Sequence, residues 1–373
     1  MAGLDRANVD VLLERAQRGV DDGLTPSCQV VLARDGDILL NEALGDATPD
    51  TRYVMFSATK GVVAGAVWLL LGEGKLHPDQ KVAEVIPEFG TNGKDVVTVD
   101  QVLQHTSGFP RAPMGPDVWG DRQKRLERFS KWRLNWEPGT RHEYHPTSAH
   151  WVLAELVERA AGQDYRDFIR QRIAEPLGLG GLRVGVPPEE QVDIATLIAT
   201  GEAVDPDELE RIIGFRELPL GEVTEENLLH FNDPDARAAG VPGGGGVARA
   251  ADLALYYQAL LHNTNDLWDP DVLADGTSVV RNRFPDFLAL GAPANRTRGL
   301  VVAGDDGHAA ARGFGHTTSA RAFGHNGAGG QLAWVDPETG LSFCYLTNGL
   351  DANLLRQWRR DTSLSSKAAV CAG

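Results

Sequence analysis

Residues 54–76 read VMFSATKGVVAGAVWLLLGEGKL. From Val62 to Leu71 every residue is apolar or glycine, so a helix here leaves no face for water. The spacing predicts a helix from about Ser57 to Gly72 that is buried on all sides. The run is about half the ~20 residues a membrane span needs, which makes it a core helix. Two polar residues open it. Ser57 and Lys60 stand at i and i+3, on one helix face with Cβ atoms about 5–6 Å apart. Ser57 is expected at the helix N-terminus, where free backbone N–H groups and the dipole stabilise an oxyanion. Lys60 enters an apolar setting that disfavours its charge; to be neutral near pH 7 its pKa must fall by roughly 3 units, or about 4 kcal/mol. A neutral amine beside a hydroxyl is a base for nucleophilic attack. The same Ser-x-x-Lys spacing also describes a plain capping serine followed by a lysine. The chemical reading is favoured because a lysine on an otherwise apolar helix needs a reason to be there.

Outward from this helix, the strand signals gather at the two ends of the chain. Val9, Leu12, Leu13 and Ala16 predict a helix over 5–20. CQVVLAR and DILLNEAL flank Asp35-Gly36, a tight-turn dipeptide, and predict a hairpin. Strands return at TRGLVVAG, QLAWVDP and LSFCYLTNG, the last two joined by a turn from Pro337 to Gly340, and a helix follows over 351–361. Between the ends, helices are expected at 99–105, 147–161, 164–175 and 250–262, and residues 263–297 read as irregular. The pattern is α+β: an antiparallel sheet built from both termini and flanked by helices, with an inserted mainly helical region. The expected division is 1–60 with 297–373 for the sheet domain and 61–296 for the helical one, with a cleft between them as the default site.

The chain has 373 residues, 42% hydrophobic and 24% charged, an ordinary composition for a soluble globular protein. Its net charge of −16 repels phosphate backbones and anionic membranes, so neither nucleic acid nor membrane is an expected partner. Cys28, Cys344 and Cys371 lie far apart with no metal or redox spacing, which fits a reducing compartment. MAGLDRANVD carries acids and no apolar segment, so a cytoplasmic location is expected. His142-Glu143-Tyr144-His145 lacks the spacing of a zinc-protease helix, no G-x-S-x-G elbow is present, and Gly243–Gly246 follows a proline rather than a strand. No metal and no cofactor are expected.

Two further stretches bear on chemistry. Tyr144 lies just past the Pro138-Gly139 turn and before a helix. A loop tyrosine there offers a phenolic proton carrier, or is simply half-buried with one hydrogen bond. FGHNGAGG, from Phe323 to Gly330, opens into a strand; its glycines let a ligand approach the backbone, or merely close a hairpin end.

Taken together, these stretches resemble the serine β-lactamase-like hydrolases: class C β-lactamases, D-alanyl-D-alanine peptidases, family VIII carboxylesterases and related acyltransferases. The resemblance runs through VMFSATKGVVAGAVWLLLGEGKL, VTVDQVLQHTSGFP, PGTRHEY, GVPGGGGVARAADLALYYQAL and FGHNGAGGQLAWVDPETGLSFCYLTN, in that order. It implies the β-lactamase/transpeptidase-like form of the α+β fold. It also implies that Ser57 is the nucleophile, Lys60 its base partner and Tyr144 the catalytic tyrosine. His325, Asn326 and Gly327 match the third box as substrate-binding positions, with the backbone N–H groups of Ser57 and Ala328 forming the oxyanion hole. Lys60 and Tyr144 both stay open as first proton acceptor. His105-Thr106-Ser107-Gly108 matches a family signature and reads as a structural loop near the site.

Two departures steer the substrate. The family's Tyr-x-Asn is Tyr144-His145-Pro146 here, and proline cannot copy an asparagine amide. The third box of β-lactamases is often Lys-Thr-Gly, whereas this chain has His325-Asn326-Gly327 and no lysine between Lys131 and Lys367. A neutral histidine is a weaker anchor for a substrate carboxylate. Both departures point to a small-molecule ester as substrate and to a serine carboxylesterase. The alternatives are a D-aminopeptidase, a weak β-lactamase, an acyltransferase using the same acyl-enzyme, or a silent scaffold. Phe109, Trp119, Trp132 and Trp136 are expected to wall an acyl pocket in preference to anchoring a long loop.

Overall fold

The structure, a computed structural model, describes residues 3–217, 221 and 223–373. The N-terminal helix α1 (Arg6–Asp21) leads into a hairpin of β1 (Ser27–Arg34) and β2 (Asp37–Gly45). Asp35 and Gly36 have φ of 55° and 81°, the left-handed conformation that a two-residue turn demands. The buried helix is α2 (Thr59–Gly72), and two more long helices follow, α3 (Ser148–Ala161) and α4 (Ala250–His262). The chain ends on β3 (Val301–Val302), β4 (Phe323–Gly324), β5 (Leu332–Asp336), β6 (Leu341–Thr347) and helix α5 (Leu354–Ala369).

The sheet order is β2-β1-β6-β5-β4-β3, antiparallel throughout. The two chain ends meet where β1 pairs with β6, from Cys28 opposite Thr347 to Arg34 opposite Leu341. Successive side chains of a strand face opposite ways, and β1 uses both faces. Val30 and Leu32 join α1 and α5 in one core, with Leu12, Phe343 and Leu364. Val31 and Ala33 join a second, larger core with Leu253 and Tyr257 of α4 and the whole apolar run of α2. Helix α4 packs across β1, β5 and β6, so it lies on the sheet although it falls within the stretch expected to be helical domain.

Three expectations need correction. The stretch 263–297 is not wholly irregular: Pro270–Ser278 is helical, capped by Asp269, whose side chain accepts from the N–H groups of Asp271 and Val272. The helix is held by packing, since Gly276 sits against the indole of Trp68 of α2 too closely for any side chain. The strand over 297–304 shrinks to Val301–Val302. The last helix starts at Leu354 rather than 351 and runs on to Ala369, because Leu364 and Ala368 extend its buried face. Among the described residues, no helix is long and apolar enough to cross a membrane.

A small sheet places the site. Tyr53–Val54 pairs with Gly246–Ala248, which pairs with Arg183–Val184. The N–H of Met55 donates to Gly246 O at 2.8 Å, and that of Gly246 donates to Thr59 Oγ1 at 2.9 Å. The glycine run is thereby clamped against the start of α2.

Candidate active site

Ser57 lies in a single 3₁₀ turn, Phe56–Ala58, that feeds directly into α2. It is half-buried, while its neighbours Phe56, Ala58 and Thr59 are buried. Phe56 has φ of 45°, a left-handed conformation that costs a bulky residue on the order of 1–3 kcal/mol and persists only where packing enforces it. The enforcing contacts include an edge-on contact with Phe231 at 5.8 Å.

Lys60 is fully buried. Its Nζ is 3.1 Å from Ser57 Oγ and donates to Gly243 O at 2.5 Å. Burial first, and then the charge of Arg296, hold its pKa well below the ordinary lysine value. In its uncharged form the amine has two hydrogens and one lone pair. With one hydrogen committed to Gly243, the lone pair is free to accept the serine proton.

Tyr144 arrives from the loop before α3. Its ring centroid is 5.1 Å from Lys60 Nζ and 5.1 Å from Arg296 Cζ. Burial raises its pKa to about 12, against the opposing pull of Arg296 and of the Ser57 side chain. The loop is fixed by histidines. The His145 N–H donates to His105 Nδ1 at 3.1 Å. Phe109 N–H donates to His145 Nε2 at 3.2 Å, so the ring proton sits on Nδ1 and is donated to Glu143 O at 2.6 Å. His145 is therefore neutral, its pKa driven to about 3 by burial. His105-Thr106-Ser107-Gly108 runs alongside: Gly139 N–H donates to Thr106 O and Asn135 N–H to Gly108 O, both at 2.7 Å.

The third box closes the site. His325 is buried; its N–H donates to Tyr257 Oη at 2.9 Å, and its Nδ1 is 2.9 Å from Asn326 O. Burial, then Arg296, then Lys60 hold its pKa far down, so the ring is neutral. Asn326 is turned into the scaffold: its Oδ1 accepts from Ala333 N–H at 3.0 Å and its Nδ2 donates to Gly313 O at 3.2 Å. Its side chain is spent on holding β5, which leaves a substrate only its backbone. Gly327 and Ala328 form a turn against Met55 and Phe56. A Cβ on Gly327 would fall 2.2 Å from Met55 O, so only glycine permits this approach. Gly327→Ala is expected to push the turn away and lower kcat/KM by about 10²–10³-fold, the range for losing one oxyanion donor. Steady-state kinetics with a thermal melt checks this, and a variant within fivefold of wild type would refute it.

Sequence reasoning missed Arg296. It is buried, with Cζ 5.1 Å from the Tyr144 ring centroid and Nη1 3.4 Å from His325 Nε2. The sequence offered no signal that separates it from Arg298 two residues on, which is paired with Asp100 and Asp275. The expected aromatic wall is also corrected. Phe109 and Trp132 stack on each other within the core, and Trp136 lies against His145 and Arg141. These three anchor the long loop. Trp119 stacks on Phe231 at 5.7 Å, and Phe231 in turn contacts Phe56, the residue before Ser57.

The sheet built from both termini and the helices around it define the β-lactamase/transpeptidase-like fold. Residues 13–364 match the Beta-lactamase family, and the chain belongs to that family. It is 29% identical to the esterase/beta-lactamase LipL of Mycobacterium tuberculosis over 322 residues, 81% of this chain and 70% of LipL. It is 26% identical to a putative D-alanyl-D-alanine carboxypeptidase of Escherichia coli K12 over 338 residues, 84% of this chain and 72% of that protein. Among solved structures it resembles a penicillin-binding protein homologue from Caulobacter crescentus, with a TM-score of 0.79, 26% identity and 98% of each chain covered. It also resembles a family VIII carboxylesterase, with a TM-score of 0.78, 25% identity and 99% of each chain covered. The protein is thus a member of a serine hydrolase superfamily of esterases, peptidases and β-lactamases.

Proposed function

We propose that the protein is a serine carboxylesterase acting through an acyl-enzyme on Ser57. Ser57 Oγ attacks the ester carbonyl, and its proton passes to the lone pair of Lys60 directly or through Tyr144. The carbonyl oxygen gains charge beside the backbone N–H groups of Ser57 and Ala328, where fixed dipoles stabilise it. The alcohol leaves with the proton, and water repeats the sequence to release the acid. The observation that carries this reading is the fully buried Lys60 with its Nζ 3.1 Å from Ser57 Oγ.

The preference for esters over β-lactams rests on what the site lacks. His325, neutral, occupies the third-box lysine position, and Pro146 occupies that of the asparagine amide. A hydrogen bond to a charged group is worth roughly 1.5–3 kcal/mol, or about 10- to 150-fold. Short-chain p-nitrophenyl esters are accordingly expected to exceed nitrocefin and D-alanyl amides in kcat/KM by about a hundredfold. Mass spectrometry is expected to find the trapped acyl group on Ser57. Efficient nitrocefin turnover would reverse this ranking and favour the β-lactamase or peptidase reading.

A further inference from the structure

Arg296 is a buried cation without a matching anion. Among the described residues, no carboxylate comes within ion-pair distance of it; the acid that acts on it most, Asp286, is itself 3.3 Å from His142 Nε2. Its Nε is sealed from solvent and has no hydrogen-bond partner. Arginine does not relieve burial by losing its proton, and an unpaired buried charge is costly. The backbone nevertheless holds it firmly in place: Arg296 N–H donates to Asn282 O and Asn282 N–H to Arg296 O, both at 3.1 Å.

The groups around this charge are nearly all basic. Lys60 comes from α2, Tyr144 and His145 from the loop before α3, His150 from α3, His105 from the loop after residues 99–103, and His325 from the end of β4. His142 and Asp286 complete the shell as a pair. Lys60 Nζ and Arg296 Cζ each lie 5.1 Å from the centroid of the Tyr144 ring. We propose that Arg296 is a positioning residue that sets the proton balance of the Lys60–Tyr144 pair: its fixed charge, beside the phenol ring that also meets the amine, disfavours a second positive charge on Lys60 and favours negative charge on the phenol oxygen. One cation thus acts on both partners in the direction that base catalysis needs. It repels a second positive charge at Lys60 and attracts a negative one at Tyr144.

The inference rests on Ser57 being the nucleophile, so the test reads Ser57 directly. A fluorophosphonate probe reports it without a substrate: the serine oxygen bonds to phosphorus, fluoride leaves, and the serine proton passes to the base. The labelling rate of the full chain is measured against pH for wild type, R296Q, R296K and D286N, each with a thermal melt. Removing the charge is expected to move the acid limb of R296Q up by on the order of one pH unit. R296K places a lysine in the same burial that disfavours charge on Lys60 and is expected to move up with R296Q. D286N removes the opposing charge and is expected to shift the limb down. A folded R296Q whose limb superposes on wild type would overturn the inference while leaving Ser57 as nucleophile. If R296Q does not fold, the D286N limb decides: a downward shift supports the inference, an unchanged limb overturns it. A wild-type Ser57 that takes no label removes the proposed function and this inference together.

Discussion

Lys60→Met is expected to lower ester turnover by at least about a thousandfold and to leave the protein as stable as wild type or more so. Ser57→Ala is expected to lose at least as much activity, because the covalent route disappears with the hydroxyl. General base catalysis alone contributes roughly 10²–10⁴-fold, and at this site the amine also orients the nucleophile through its 3.1 Å contact. The stability half of the prediction follows from linkage. Burial holds the amine's pKa well below its ordinary value. In the unfolded chain Lys60 holds a proton up to about pH 10.4, whereas burial makes the folded chain give it up at a lower pH. The residue therefore opposes folding at every pH below that value, increasingly so as the pH falls toward the folded pKa. Methionine fills a similar volume with no charge to remove. It gives up the bond to Gly243 O, so the gain is partial. Kinetics with p-nitrophenyl butyrate and a thermal melt near pH 7 check both halves. Retention of more than about 1% of activity would refute the assignment of Lys60 as base. A markedly lower melting temperature would recast the lysine as a structural residue. A group that weakens the fold while facing the nucleophile is what a function–stability trade-off predicts.

The chemistry legible in the sequence was the part written in local spacing. Ser57 and Lys60 are one turn apart on an apolar run, so their meeting needed no knowledge of the fold. Asp35-Gly36 announced its turn for the same reason, and the two faces of β1 follow from strict alternation. Tyr144 was reached only through resemblance, since nothing local says that a loop about ninety residues on returns to Ser57. The misses are all tertiary. Asp269-Pro270 is a sound helix start, yet PDVLADGTS has weak intrinsic preference and gains its helix from packing on Trp68. Phe109, Trp119, Trp132 and Trp136 are alike in composition, and only contacts separate Trp119, which reaches Phe56 through Phe231, from the three that anchor the loop. Asn326 reads as a ligand because it sits between His325 and Gly327, but its amide is claimed by Ala333 and Gly313. Arg296 and Arg298 differ only in that acids reach one and not the other.

The histidines around Tyr144 carry a consequence for the whole molecule: stability is expected to fall steeply below about pH 6.5. His105, His145, His150 and His325 are buried, and burial is the leading cause that depresses the pKa of each. In the unfolded chain each takes up a proton near pH 6.5. Between that value and the depressed folded value, the unfolded state binds a proton that the folded state refuses, so stability is intact above the window and lost as pH falls through it. One proton is worth about 1.4 kcal/mol per pH unit, and four in parallel about 5. Against a typical total of about 5–15 kcal/mol, acidification below pH 6.5 is expected to remove a large share of the stability. Denaturant titrations from pH 7.5 to 4.5 give the slope directly, and an uptake of fewer than about one proton on unfolding would contradict the neutral cluster. His150 offers the sharper control. Both its ring nitrogens are buried without a hydrogen-bond partner, so His150→Gln breaks no bond to either of them and is expected to lower the uptake by one. His145 is the contrasting case, because its ring holds Glu143, Ser107 and Phe109 together. His145→Gln is expected to lower the uptake by one and also to lose activity, since the loop it fixes is the one that brings Tyr144 to Ser57.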